Sequence, residues 1–371
     1  MKRRGVLLLL LGLLPILFCT GCMPSVQIDQ RLLVQGIGID REEGEYRITL
    51  QVFSPAPVGE GEGSGGTARY FAAGESISEC MQNIRRDTGK EMFLGNCRMV
   101  ILGSEAVEER CSEVLDYLLS DHQLRPGIPL LFTEGPASEL ITADIEEAPV
   151  PAMRIQEVVA SHSRSGFCPS STLLTVVRSI AGPGETAALP CIALGEDGGT
   201  LAIRGTALLA SDGSYSLLDT EDWRGAAYLL GQMRSADYTL SYKGGRLRVR
   251  VTPVMELLSA AENTEYPVLQ LKLRLDCAVQ EYTGGQLQWT STETAAVGAV
   301  VQREVEGEIR RSFAVLMDRG ADVLTLLDNV EKFSPELARR RDASWILSNA
   351  SLEADIRVNV TSLGSGARAA A

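Results

Sequence analysis

Histidine is nearly absent from this chain of 371 residues. Only His122 and His162 occur, forty positions apart. No His-Glu-x-x-His run exists, and no second Cys-x-x-Cys pairs with the one in the leader, so a zinc site lacks ligands at useful spacing. Lysine is scarce too. None of the five lysines has a serine three residues before it, and there is no Gly-x-Ser-x-Gly, which removes two common serine-nucleophile arrangements. Positive charge is short overall: 35 Lys and Arg face 48 Asp and Glu, for a net charge of −13. Such a chain has no electrostatic pull toward nucleic acid or an anionic membrane surface. A mean hydropathy of +0.04 is too low for a polytopic membrane protein. The single long apolar run, Val6 to Phe18, extends about 20 Å as a helix, short of the roughly 30 Å hydrocarbon core.

That run follows Lys2, Arg3 and Arg4 and reads as the apolar region of a signal peptide. Thr20-Gly21-Cys22 then resembles a bacterial lipobox, although Cys19 stands where leucine is usual. Cleavage before Cys22 would let its thiol take a diacylglycerol, and acyl chains in pairs give stable anchoring where one gives marginal binding. Removing residues 1–21 takes three cations and no anion, leaving 32 basic against 48 acidic side chains, or −16. The charge would hold the folded domains off a negative lipid surface while the lipid tethers them.

Periodicity organises the rest. Gly36 to Asp40 leads into Tyr46, Ile48, Leu50 and Val52, alternating as a half-buried strand pair with a turn at Glu42 to Gly44. Residues 54–67 form a Pro-, Gly- and Glu-rich loop. Ile77, Cys80, Met81 and Ile84 define a one-faced helix. A strand at Arg98 to Leu102, a helix through Val107, Cys111, Val114 and Leu118, and a strand at Ile128 to Phe132 complete a mixed domain over 22–148. After a linker at 144–151, a smaller middle domain over 149–236 has helices near 155–162 and 171–180. A loop region follows between Gly182 and Gly199, then a hairpin about Asp212-Gly213, and a helix from Asp222 to about Met233. The last domain, 237–363, alternates clearly at Leu247, Val249 and Val251 and again from Leu269 to Val279. A helix follows over about 294–317, then a shorter one after Gly320, and a closing strand through Leu352, Ile356 and Val360. The expected fold class is α+β: three mixed domains, the C-terminal one an antiparallel sheet packed against long helices. Residues 364–371 form a small-residue tail.

The remaining chemistry is thin. Of the six cysteines after the lipobox, Cys80, Cys111 and Cys277 fall on apolar faces, where a thiol behaves as a small hydrophobe. The other three are Cys97, Cys168 and Cys191. Mostly free, buried thiols are expected, with no spacing that specifies a disulfide. His162 shares a helical face with Val158 and Val159 and reads as structural, and His122 ends a helix. Gly61-Glu62-Gly63-Ser64-Gly65-Gly66 satisfies Gly-x-Gly-x-x-Gly literally, but no helix starts at its third glycine and its glutamates would repel a pyrophosphate. No catalytic, metal-binding or ligand-binding residue is assigned, and Cys22 is the one candidate site.

Several stretches in order resemble the Ger(x)C lipoprotein family of endospore-forming Firmicutes, the GerAC-like C subunits of spore nutrient germinant receptors. They are Arg31 to Asp40 with Ile48 to Val52, Ala73 to Ile77 and Met99 to Glu105. Then come Leu115 to Ile128 with Arg125-Pro126, Gly205 to Leu208 through Asp212-Gly213 to Arg224-Gly225, and Gly320 to Leu324 through Pro335 and Trp345 to the final strand. The chain departs from the family pattern at Met23 to Val26, where Trp-Asp and a basic pair are usual. It departs again at Asn96, where many members have histidine, and at Asn349-Ala350, where Phe-Pro is common. The resemblance implies a three-domain lipoprotein on the outer face of the spore inner membrane, with a diacylglycerol and acyl anchor such as palmitate on Cys22 and no other cofactor. It further implies a non-enzymatic subunit that scaffolds integral-membrane A-type and B-type receptor subunits during germination. The alternative is the lipoprotein solute-binding component of an importer, against which the late alternating strands argue, since such a protein would show two similar α/β lobes. An extracytoplasmic hydrolase lacks a nucleophile motif.

Overall fold

A computed structural model describes residues 30–54, 66–145, 150–262, 264–284 and 289–362. The leader 1–21, Cys22, the tail 364–371, most of the glycine-rich loop and the centre of the 144–151 linker lie outside the described residues.

The first half is built on one sheet. Strands β1 (Arg31–Glu42) and β2 (Glu45–Ser54) form a hairpin. Its two turn residues, Glu43 and Gly44, have φ of 53° and 86°, the left-handed pair that matches the twist of the flanking strands. Strand β3 (Gly66–Gly74) adds outside β2. Helix α1 (Ile77–Thr88) starts where Ser76 accepts from the Glu79 N–H at 3.1 Å, stops at Gly89 with φ of 65°, and buries the four residues its spacing marks. The chain continues through β4 (Glu91–Phe93), β5 (Met99–Gly103), α2 (Ser104–Ser120), β6 (Leu130–Thr133), α3 (Ala137–Thr142), α4 (Pro151–Arg164) and α5 (Leu173–Ala181). Strands β7 (Thr186–Leu194), β8 (Leu201–Ala210) and β9 (Tyr215–Leu218) finish this half. The sheet runs β3-β2-β1-β5-β6-β7-β8-β9, with β4 also paired to β1. From β1 to β7 neighbours are parallel, and both wings are antiparallel.

Alternation along β1 explains its glycines. Ile37 and Ile39 enter the core under α1, α2 and α5. Gly36 and Gly38 face the other side, where a Cβ on either would come within 3.1 Å of Met99 or Ile141. Their bareness lets α3 and α4 lie close on that face.

The second half has a four-stranded sheet in the order β10 (Ala236–Tyr242), β11 (Gly245–Ala260), β12 (Val268–Tyr282) and β13 (Ser351–Ser362). One face is wet, carrying Lys272, Arg274, Glu353 and Asp355. The other buries Leu247, Val249, Leu271 and Leu275. Helices α6 (Thr220–Leu229) and α7 (Ser291–Asp318) cover the buried face, and α8 (Leu326–Phe333), α9 (Pro335–Arg340) and α10 (Ala343–Ser348) return the chain to it. On α7, Val297, Val301, Ile309 and Leu316 are all buried, as their spacing predicts.

The α+β class holds, and three details differ from expectation. The final sheet is mixed, because β13 lies parallel to β12. The helices α7–α10 between them supply the long crossover that a parallel pair requires. The stretch 186–194, expected as loop, is strand β7. It is apolar from Ala187 onward and contains Pro190, so it shows neither alternation nor an uninterrupted strand pattern. The residues expected to form a middle domain are shared: β7–β9 extend the first sheet, while α6 packs into the second core. The helix expected to reach Met233 ends at Leu229.

Helices α6 and α7 cross where Gly225 stands, and a Cβ there would lie 2.2 Å from the Glu308 carbonyl oxygen. Gly225→Ala is expected to lower unfolding free energy by about 2–3 kcal/mol, since backbone cannot yield as a side chain can. Gly307→Ala, on the open side of α7, should instead raise it by about 0.5–1 kcal/mol. Denaturant midpoints at unchanged m-value check both.

Candidate functional site

The parallel strands β1, β5 and β6 end together, and a cleft of about 590 Å³ opens beyond their carboxyl ends. Ligands of open α/β sheets gather at such an edge. Asp40, at the end of β1, continues the Gly36–Gly38 face and reaches the start of α3. Its carboxylate accepts from Ala137 N–H at 2.6 Å and Ser138 N–H at 2.9 Å. Gly103 leaves room for it, since a Cβ there would sit 2.3 Å from Oδ1. Burial raises the Asp40 carboxyl above the ordinary range, and the two backbone bonds pull it part of the way back. Both oxygens are therefore occupied in holding a helix.

Gln51 secures the other end of α3. From its buried position on β2 its amide donates to the Ile141 carbonyl at 2.9 Å and accepts from Ala152 N–H at 2.8 Å. It thereby joins the end of α3 to the start of α4. Around the cleft mouth, Arg41 pairs with Glu109 and lies 4.9 Å from the Tyr46 ring, and Arg47 pairs with Glu42 at 2.7 Å.

A second polar cluster lies where the halves meet. The Arg224 guanidinium stands 4.6 Å from the Tyr238 ring and 5.4 Å from that of Phe167. Tyr238 donates to Glu308 at 2.6 Å and contacts the Tyr228 hydroxyl at 2.8 Å, while Arg224 approaches Glu308 at 3.6 Å. Burial raises the Glu308 carboxyl, against the opposing pull of Arg224. Separately, buried Asp322 accepts from Leu326 N–H at 2.6 Å and Leu327 N–H at 2.9 Å, capping α8. The turn at Gly184 packs against it so closely that a Cβ would lie 2.5 Å from the Asp322 Cβ.

Residues singled out by sequence fall elsewhere. Cys22 is outside the described residues. His122 is exposed in the turn after α2. His162 is half-buried on α4, its Nδ1 2.9 Å from the Val158 carbonyl oxygen and its ring edge-on to Phe167. All six later cysteines are buried and unpaired, as expected. Burial pushes Cys97, Cys168 and Cys191 up to about 12 and Cys80, Cys111 and Cys277 up to about 11. These thiols carry negligible thiolate at neutral pH. Of the literal glycine motif, Gly66 is described, and it begins strand β3 rather than a helix. Among the described residues, no group of three or more potential ligands could hold a metal, and no helix is long and apolar enough to cross a membrane.

Sequence reasoning missed the roles of Asp40, Gln51, Arg224, Glu308 and Asp322. A carboxylate ending a Gly-x-Gly strand was the available signal for Asp40. No local pattern marks the others.

Two family models match the chain: the spore germination protein N-terminal domain over residues 24–194 and the spore germination B3/GerAC-like C-terminal domain over 204–364. The chain belongs to this GerAC-like family of spore germination proteins, and its role lies in germination. It is similar to YfkR of Bacillus subtilis (strain 168), which carries a spore germination name, with 22% identity over 287 residues, 72% of this chain and 73% of that protein. It is similar also to the spore germination protein GerQC of Bacillus cereus, 20% identical over 313 residues, 82% of this chain and 83% of that one. The crystal structure of the GerBC protein shares the fold, with a TM-score of 0.52 at 13% identity over 88% of this chain and 96% of that one.

Asp40→Ala removes both acceptors from the start of α3, one of whose donors is buried, and should cost about 2–3 kcal/mol. Asp40→Asn, which keeps one acceptor, should cost less in the same denaturation series. Asp322 gives a pH signature. Burial raises its carboxyl from the usual 3.8 to about 6, so the folded chain holds the proton more tightly than the unfolded one. The stability linked to that proton is full below about pH 3.8 and is lost as pH rises through about 6. Relative to Asp322→Asn, the wild-type unfolding free energy should therefore fall by on the order of 2–3 kcal/mol between pH 4 and 7.

Proposed function

We propose that this protein is a lipid-anchored, non-catalytic subunit of a spore nutrient germinant receptor. On this reading signal cleavage leaves Cys22 as the first residue, acylated and seated in the outer face of the spore inner membrane. The soluble halves then stand beside A-type and B-type integral membrane subunits and act by scaffolding their assembly. The observation that carries the reading is the family match itself, which begins at residue 24, two positions after the lipobox cysteine. The acidic surface supports tethering without lipid adsorption, because the remaining chain is repelled by an anionic leaflet. A non-catalytic role is supported by the buried thiols with raised pKa and by the placement of His122 and His162 away from the cleft. The importer reading is weaker, since the two halves have different sheets, one with a parallel centre and one mostly antiparallel. We further propose that the chain acts as domains with the bounds 22–148, 149–236 and 237–363, although the first sheet takes strands from both sides of the first boundary.

Cys22→Ala in the native sporulating organism tests the anchor. The variant should leave the membrane fraction, and germination should slow for particular nutrients. Full membrane retention with unchanged germination would defeat the tether.

A further inference from the structure

Charge is placed unevenly along the first sheet. The cleft at its carboxyl end carries Asp40, Glu42, Glu105 and Glu134 against Arg41 and Arg47, both engaged by glutamates. The amino end has the reverse balance. β4 runs parallel to the start of β1 with Arg31 opposite Glu91, so Lys90 stands one step outside the pairing. Arg98 precedes β5 and donates to the Gln35 side chain at 3.2 Å. Arg125, in the turn before β6, donates to the Cys97 carbonyl at 3.1 Å. Lys90 and Arg125 are exposed and Arg31 and Arg98 half-buried, and none of the four has a carboxylate partner among the described residues. The acids of this end are engaged. Glu91 pairs with Arg85 at 2.7 Å, Asp87 with Arg86 at 3.5 Å, and Asp121 accepts from Gln123 N–H at 2.9 Å.

Two of the exposed large apolar side chains share this end. α2 starts at the carboxyl end of β5 and runs back, which brings Leu119, 47% exposed, to the amino end. α5 packs against α2 and begins here, with Leu174, 42% exposed, donating its N–H to the Pro126 carbonyl at 2.9 Å. The shallow pocket between α1 and α2 has Glu91 and Asp121 on its rim and none of the four cations, so it suits no isolated anion. Cations on open surface beside bare leucines fit an extended partner instead. Phosphate headgroups meet the cations, and the leucines lie at the boundary between headgroup and acyl chain. The amino-terminal segment joins at the same end, since Arg31 stands nine positions after Cys22, a reach of at most about 30 Å.

We propose that the amino end of the first sheet seats on an anionic phospholipid surface, Lys90 and Arg125 meeting headgroups and Leu119 and Leu174 entering the headgroup layer, while the carboxylate-rich cleft points away. This deepens the tethered reading and rests on the chain's being held through its amino-terminal segment. The acidic chain as a whole is repelled by an anionic leaflet, but its uneven charge turns it about the tether. The tether supplies the local concentration that a weak surface contact needs.

The full chain would be reconstituted on vesicles of phosphatidylcholine alone or mixed with phosphatidylglycerol, and amide hydrogen exchange compared by mass spectrometry. Segments 89–98, 119–127 and 173–175 should exchange several-fold more slowly on the anionic vesicles, with 104–109 and 134–139 at the cleft unchanged. Salt at 1 M should remove the difference, because the screening length falls to about 3 Å. Lys90→Glu combined with Leu119→Ser should return exchange to the phosphatidylcholine level with melting unchanged. Equal exchange of the wild-type chain on both vesicles would overturn the proposal and leave the tether standing. Slowing at the cleft instead would also overturn it, as would slowing of these segments only in a receptor complex, which would assign this end to a protein partner. A chain that floats with neither vesicle is not membrane-held, and that result overturns both readings.

Discussion

A buried carboxylate catching the first N–H groups of a short helix is the constraint on which the architecture of the first half depends. α3 is six residues long and could not persist by propensity alone. It is held at its start by Asp40 and at its end by Gln51, both projecting from the sheet, and it rests on a strip of β1 bared by Gly36 and Gly38. The expense of burying a charge is recovered because each Asp40 oxygen meets a donor that would otherwise be unpaired. Because α3 is fixed there, it stops short of β3, and the uncovered sheet becomes the floor of the cleft.

The same device recurs in the second half and ties it to the first. Asp322 caps α8, itself eight residues, and the turn at Gly184 presses on the same aspartate. Arg319 donates to the Leu217 carbonyl at 2.8 Å, and Gln232 accepts from Ser170 N–H at 2.9 Å. The Arg224 cluster adds a guanidinium between Phe167 and Tyr238. The contact between the halves combines these polar ties with an apolar seam, since Leu208 of β8 and Leu218 of β9 are buried in the second core. The polar ties fix orientation more than they add stability, since buried ion pairs give back much of their attraction in desolvation.

Much of this fold was legible because its elements carry their own periodicity. Ile77, Cys80, Met81 and Ile84 could only be a helix face, and Leu269 to Val279 only a half-buried strand. β7 was hidden because a strand buried within a sheet has no polar alternation, and Pro190 broke what pattern remained. The direction of β13 was not written in its residues at all, since its alternation reads identically whether it runs parallel or antiparallel to β12. The cleft was equally out of reach. Its residues come from β1, β2, β3 and the starts of α2 and α3, segments that only the topology brings together. The thiols, by contrast, were readable, because a cysteine in an apolar stripe follows the stripe into the core.

Those thiols bear on what the chain needs in order to fold. Chains whose core is small commonly rely on disulfides where the compartment allows them. Here six cysteines are buried singly among apolar side chains, and two large cores close without a covalent staple. At this length the fraction of surface buried on folding is high enough to supply the stability. The residues that make the chain recognisable are spent in the same way: Asp40 caps a helix, Gly225 admits a helix crossing, Asp322 closes a joint. Low identity to relatives across nearly the whole chain is what such a scheme permits, because a few caps and close approaches fix the frame while most side chains need only remain apolar or polar.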